Sequence, residues 1–243
     1  MKGIVGSEIR DLVSYNNRLY AKTPREIVYS TDNGETWLPV QIDSGKGTGY
    51  YPAEFTVVDD NFYALARDSL ENIRICQMSS DGDEFVPIQE LPEIGGESFI
   101  KKLGMEPIEK DVLPNIDEET ELSEEQIRAL MARLNRTRIR TLAGNKNTFY
   151  LEVNEHLFKA EIGDSEWTNT ELDFGKEPDY GRLTIAVSDN NIFVGRGDAH
   201  LIQSVDDGKN WMDITPIIPI QLIGFQDIEI VESKVYVATY RGY

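Results

Sequence analysis

Two stretches of this chain put acids, hydroxyls and an indole at one spacing. Ser30-Thr31-Asp32-Asn33-Gly34-Glu35-Thr36-Trp37 and Ser204-Val205-Asp206-Asp207-Gly208-Lys209-Asn210-Trp211 share the frame S-x-D-x-G-x-x-W. A carboxylate two residues from a hydroxyl could move protons, hold a cation or bind a polar ligand. The same types also make a tight turn. Ser and Asp hydrogen-bond nearby backbone, Gly takes positive φ, and Trp covers the turn with apolar area. Turn chemistry is the expected role of Ser30, Asp32, Gly34, Trp37, Ser204, Asp206, Gly208 and Trp211, with no catalytic residue among them.

The rest of the chain offers little competing chemistry. His156 and His200 lack metal-ligand spacing, Asp59-Asp60 and Asp206-Asp207 lack an EF-hand frame, and no phosphate loop or nucleophile elbow is present. No cofactor and no metal is expected. Gly195-Arg196-Gly197-Asp198 reads as a hairpin continuation. Cys76, the one cysteine, sits in the strand-like run Ile73–Met78, where a buried inert thiol is expected and no intrachain disulfide can form.

The elements that position these motifs repeat. Five stretches read as an apolar run, a short polar turn and a second apolar run: 12–20, 55–63, 141–150, 185–193 and 228–236. Each has the marks of a β-hairpin. The aromatic anchors Tyr20, Tyr63, Tyr150, Phe193 and Tyr236 are spaced by 43, 87, 43 and 43 residues. That period suits four-stranded propeller blades. A third strand, a turn and a fourth strand follow each hairpin. The turn at Ser79–Phe85 is a decayed copy with Phe85 in the Trp position, and that at Gly163–Trp167 keeps only the Trp.

The expectation is therefore an all-β propeller, one domain over 1–243, since radial blades leave no long sheet edge open. A β-sandwich would not explain the step. The fifth repeat stops after its hairpin, and Lys2–Ser7 resembles the third-strand segment Arg25–Ser30, which predicts five blades closed by N- and C-terminal strands. The long step contains an acidic insertion, 93–137. There Ser123-Glu124-Glu125-Gln126 has capping-box spacing, and Ile127, Leu130, Met131 and Leu134 make an apolar stripe. An amphipathic helix is predicted, packed on the propeller or serving as a docking helix.

Charge narrows the partners. The formal net charge is −19 over 243 residues with 40% hydrophobic residues, a globular composition whose field repels phosphate backbones. Nucleic acid is excluded as an expected partner. The first residues lack the apolar core of a signal peptide and no segment has membrane-spanning length, so the expected location is cytoplasmic and no membrane insertion is expected.

The S-x-D-x-G-x-T-W frame resembles the Asp-box, or BNR repeat, of sialidases, sortilin-like receptors and related bacterial propellers. Asn210 departs from the usual Thr. The resemblance implies a propeller and raises the glycan-cleaving activity of sialidases, which use an arginine triad, a Tyr–Glu pair and an acid/base Asp. Here the Arg-Ile-Pro type motif is missing, Pro24-Arg25-Glu26-Ile27 does not replace it, and Arg10, Arg67, Arg182 and Arg196 do not align to the triad. The function expected is a non-catalytic scaffold presenting a rigid surface to a protein partner. The alternative is a carbohydrate-binding or glycan-cleaving sialidase-like propeller.

Overall fold

A computed structural model of the chain describes residues 8–24, 26–42, 51–67, 73–91, 139–153, 156–172, 174, 183–197, 200–217, 224–232 and 234–239. By backbone packing the chain divides into Met1–Leu91 with Ile139–Tyr243, and Pro92–Arg138. The second unit lies outside the described residues, and with it the expected helix of Ile127, Leu130, Met131 and Leu134.

Each repeat begins with a hairpin closed by a two-residue turn. In the first, β1 (Asp11–Tyr15) and β2 (Arg18–Lys22) pair with Tyr15 opposite Arg18. Asn16 and Asn17 both have positive φ, 47° and 59°, as a type I′ turn requires and as Asn tolerates better than most residues. Asp59 and Asp60 do the same, at 44° and 60°, between β6 (Tyr51–Val58) and β7 (Asn61–Arg67). The other hairpins are β10 (Ile139–Asn145) with β11 (Thr148–Val153), β14 (Thr184–Ser188) with β15 (Asn191–Gly195), and β18 (Phe225–Val231) with β19 (Lys234–Thr239).

Four repeats go on to complete a sheet. The first adds β3 (Ile27–Ser30) and β4 (Leu38–Pro39); the second adds β8 (Ile73–Met78) and β9 (Glu84–Glu90). The third adds β12 (His156–Glu161) and β13 (Thr168–Asn169), and the fourth β16 (Leu201–Ser204) and β17 (Met212–Asp213). Past β4 the chain continues into β5 (Gln41–Ile42), which pairs parallel to β9 and gives the second sheet a fifth strand. One backbone latch thus ties the first blade to the second.

The expectation of five blades is corrected to four. Among the described residues the fifth repeat supplies only β18 and β19, and the segment expected to complete it, Lys2–Ser7, lies outside them. No α-helix occurs among the described residues; the one helical turn is 3-10, Thr215–Ile217. No helix there is long and apolar enough to cross a membrane.

The cores lie between sheets rather than within them. Tyr20 and Ile27 of the first blade pack with Phe55, Phe62, Ala64, Cys76 and Phe85 of the second. Phe62 is fully buried, its ring centroid 4.9 Å from that of Tyr20, 5.4 Å from Phe55 and 5.1 Å from Phe85. These are edge-on geometries that aromatic quadrupoles favour. Cys76 is buried in the same cluster. A second cluster joins the third and fourth blades through Tyr150, Leu157, Ile185, Ile192 and Ile202. A third seats Phe225 and Ile228 of β18 against the fourth blade. There a Cβ on Gly195 would stand 2.7 Å from the Phe225 ring, so only glycine lets these strands approach.

Phe62→Ala should cost about 3–5 kcal/mol, the range for removing a buried aromatic. Chemical denaturation should show a lower midpoint with an unchanged slope; a midpoint equal to wild type would contradict this core.

Candidate binding face at the turns

The two full S-x-D-x-G motifs join the third and fourth strands of the first and fourth blades. In the first, Ser30 is buried and its hydroxyl donates to Asp32 Oδ1 at 2.7 Å, while its oxygen accepts the Gly34 N–H at 2.8 Å. Asp32 accepts the Thr36 N–H on Oδ1 at 2.8 Å and the Thr36 hydroxyl on Oδ2 at 2.5 Å. Asn33 and Gly34 have φ of 56° and 90°, and Trp37 Nε1 donates to the Gly34 carbonyl at 2.9 Å.

The second motif repeats the network. Ser204 donates to Asp206 at 2.8 Å and accepts from Gly208 N–H at 2.9 Å. Asn210 stands in for Thr36: its N–H and its side-chain Nδ2 donate to the two Asp206 oxygens at 2.8 and 2.6 Å. The departure from Thr therefore keeps both bonds. Trp211 differs, since its Nε1 reaches the Thr170 carbonyl in the third blade at 3.2 Å. The decayed copy retains one part, Ser79 donating to Asp81 Oδ1 at 2.6 Å.

With both oxygens engaged by donors, Asp32 and Asp206 are held at a pKa of about 2, below the usual 3.8. The side-chain bond from Thr36 or Asn210 is the largest cause and the backbone N–H of the same residue the next. A carboxylate so depressed stays ionised at neutral pH and is a poor proton donor.

The turns also reach the preceding blade, which sequence reasoning missed. Tyr20 donates its hydroxyl to the Gly82 carbonyl at 3.1 Å, and Arg18 donates to the same carbonyl at 3.0 Å and to Asp83 at 2.6 Å. Tyr150 likewise donates to Asp207, and Lys159 reaches the Asp207 carbonyl at 2.7 Å and its carboxylate at 3.0 Å. Burial first, then Asp207, pushes the Tyr150 hydroxyl above its ordinary range. Burial alone would raise the Asp207 carboxyl, but the bonds from Tyr150 and Lys159 hold it low. Gln89 of the second blade clasps the third blade's turn through Gly163 N–H, 3.2 Å, and the Asp164 carbonyl. The aromatic anchors were legible as a register; their hydroxyls gave no sign of where they pointed.

Two spaces open among these elements. A channel of about 320 Å³ runs along the innermost strands, with Asp11, Glu54, Thr141, Thr184, Asp227 and Glu229 among its lining. Glu54 is neutralised by Lys22 at 2.6 Å, both largely buried. No arginine lines this channel among the described residues. Arg10 pairs with Glu8 at 3.5 Å, and buried Arg196 stacks 4.3 Å from the Phe174 ring, so the Arg-Gly-Asp triplet begins with a buried residue.

The second space is a groove of about 550 Å³ over the turns of the third and fourth blades. It is lined by Asn145, Lys146, Asn147, Thr148, Asp189, Asn190, Val205, Asp206, Asp207 and Lys209. Val205 is 62% exposed. Lys146 and Asp189 pair across it at 3.3 Å, both well exposed. No group of three His, Cys, Asp or Glu side chains among the described residues is gathered as metal ligands.

No protein-family model matches the chain. No curated protein matches it. Solved structures do. The extracellular domain of BT4673 from B. thetaiotaomicron superposes with a TM-score of 0.55 at 10% identity, over 96% of this chain and 26% of that one. YCF48 from Cyanidioschyzon merolae gives 0.54 at 10% identity, over 98% of this chain and 67% of that one. The fold is a β-propeller. At such identities the likeness extends to the fold alone, and this chain spans about a quarter of the BT4673 chain.

Because the Asp32 and Asp206 pKa values are lower in the fold than in the open chain, the stability they add is full above pH 3.8 and is lost as pH falls toward about 2. Asp32→Ala and Asp206→Ala should each lower Tm at pH 7, and Asp32→Asn with Asp206→Asn should flatten the acid limb of Tm against pH. An acid limb identical to wild type would remove these carboxylates from the account.

Proposed function

We propose that this propeller is a binding scaffold whose turn face receives a protein partner through the groove at the third and fourth blades. One observation carries the reading: exposed Val205 sits amid Lys146, Asp189 and Lys209 on turns pinned by the Asp206 and Asp207 networks. An apolar spot with a polar rim on a preorganised backbone is the anatomy of a recognition surface. In this reading Ser30, Asp32, Gly34 and Trp37, with Ser204, Asp206, Gly208 and Trp211, hold turns of the Asp-box kind and do no chemistry themselves.

A glycan reading draws support from the amides Asn145, Asn147 and Asn190 in the same groove. It is the weaker one, because no aromatic side chain among the described residues lines the groove to stack on a sugar. Affinity capture from native lysate should recover a partner with the intact chain and lose it with Val205→Asp combined with Lys209→Glu. A parallel variant lacking residues 105–136 tests the insertion as a docking element. Retention of the same partner by the groove variant, or turnover of a sialoside substrate by the intact chain, would displace this proposal.

A further inference from the structure

The innermost strands put a polar residue at one level of the channel in each of the five repeats. In the first and second, Asp11 and Glu54 lie opposite Lys22 and Leu65, two residues past the anchors Tyr20 and Tyr63. In the fourth and fifth, Thr184 and Asp227 lie opposite Gly195 and Ala238, two past Phe193 and Tyr236. In the third the register shifts between Ile139 and Leu142, and Thr141 lines the channel there. One level therefore holds three carboxylates and two hydroxyls. Next to four of them in the chain stand Phe55, Leu142, Ile185 and Ile228, which are buried and line the same space.

The fold itself uses one side of this level. Lys22 donates to Glu54 at 2.6 Å, and the Thr141 hydroxyl lies 3.0 Å from the Leu183 carbonyl and 3.1 Å from Glu152. The other side is left open. Thr184 is only 8% exposed, yet its hydroxyl has no hydrogen-bond partner among the described residues. A hydroxyl on so buried a residue normally has one, so this one calls for a polar guest in the channel. Asp227 accepts the Ile228 N–H on Oδ1 at 2.9 Å, which leaves Oδ2. Glu229 has no ion pair or side-chain hydrogen bond among the described residues.

Charge fixes the kind of guest. Every charged side chain lining the channel among the described residues is an acid: Asp11, Glu54, Asp227 and Glu229. The chain's net charge of −19 adds to the same field. A cation is complementary. A metal ion is not the match, because Ca²⁺ needs several oxygens converging at about 2.3–2.6 Å. No three His, Cys, Asp or Glu side chains among the described residues gather in that way. Asp227 and Glu229 instead stand two residues apart on β18, about 7 Å along the strand, with buried Ile228 between them. Separate carboxylates suit separate ammonium groups, each taking its own charge-assisted bond. The apolar residues between them suit the methylenes that join such groups. A space of about 320 Å³ is at the small end of ligand sites.

We propose that the channel binds a linear di- or triamine. Asp227, Glu229 and the Thr184 hydroxyl accept from its ammonium groups, and its methylenes lie against Ile185 and Ile228. The site shares no lining residue with the groove of the third and fourth blades, so it is independent of the protein partner proposed there.

The test is calorimetric titration of the full chain with spermidine and with 1,4-diaminobutane. One saturable site is expected, with n-butylamine at least about tenfold weaker. Asp227→Asn and Glu229→Gln should each weaken spermidine at least about tenfold. Thr184→Val should weaken it about fivefold, the worth of one hydrogen bond, with Tm no lower than wild type. Glu35→Gln and Glu166→Gln make the same change in net charge on exposed residues and should leave binding unchanged. No saturable binding overturns the proposal, as does binding unchanged in all three channel variants. An equal loss in the two surface variants, or displacement of spermidine by Mg²⁺ at matched ionic strength, reduces the effect to diffuse counterion attraction and overturns it too. A lysine-containing peptide that binds more tightly than spermidine and is lost in the channel variants would give the channel to a protein's side chain, and would also overturn it.

Discussion

Blades packed face to face share few backbone hydrogen bonds, so something else must fix how each sheet sits on the next. Here polar side chains on one blade grasp the turn of its successor. Tyr20 and Arg18 hold the Gly82 carbonyl, Gln89 holds the turn at Gly163 and Asp164, and Tyr150 and Lys159 hold Asp207. At the hairpin turns, Tyr15 reaches the Asp60 carbonyl at 2.9 Å and Asn145 reaches that of Asp189. Each bond needs its partner atom on the turn in one place. The turn at Asp207 meets that need through internal rigidity: the Ser204–Asp206 network and positive φ at Asp207 and Gly208 leave the turn one conformation, and the Ser30–Asp32 network does the same at Asn33 and Gly34. Hydrophobic burial between sheets supplies the larger driving force, but it is non-directional. The hydroxyl-to-turn bonds supply register.

This arrangement decides where chemistry is available. The acidic motifs that first suggest catalysis have their oxygens occupied by their own turns, and the channel's Glu54 is neutralised by Lys22. What remains outward is the tip of each turn, where Val205 stands beside Lys146 and Lys209. A surface fixed from beneath loses little entropy on binding.

Much of this was readable in the sequence. The hairpins were legible because Asn16-Asn17 and Asp59-Asp60 are residues that tolerate left-handed φ between β-forming runs, and the paired turns because Ser, Asp and Gly act within five residues of one another. Asn210, which departs from the usual Thr, preserves both donors. Illegible were the parallel latch of β5 on β9 and the grip of Tyr150 on Asp207, 57 residues away. Neither leaves a periodic trace. The expected fifth blade is absent among the described residues: the fifth repeat supplies only β18 and β19 there, and Lys2–Ser7, expected to complete it, lies outside them.

The sequence by itself determined the repeat, the hairpin turns and the Ser-Asp-Gly-Trp frame, since these rest on contacts within a few residues and on φ preferences fixed by residue type. Only the tertiary structure decided that Tyr20 and Tyr150 act between blades, that the turns at Gly82, Asp164 and Asp207 are clasped by the blade before them, and that Tyr236 on β19 is exposed. Those outcomes depend on which sheet lies beside which, and side-chain reach across such an interface is a property of packing, not of order along the chain.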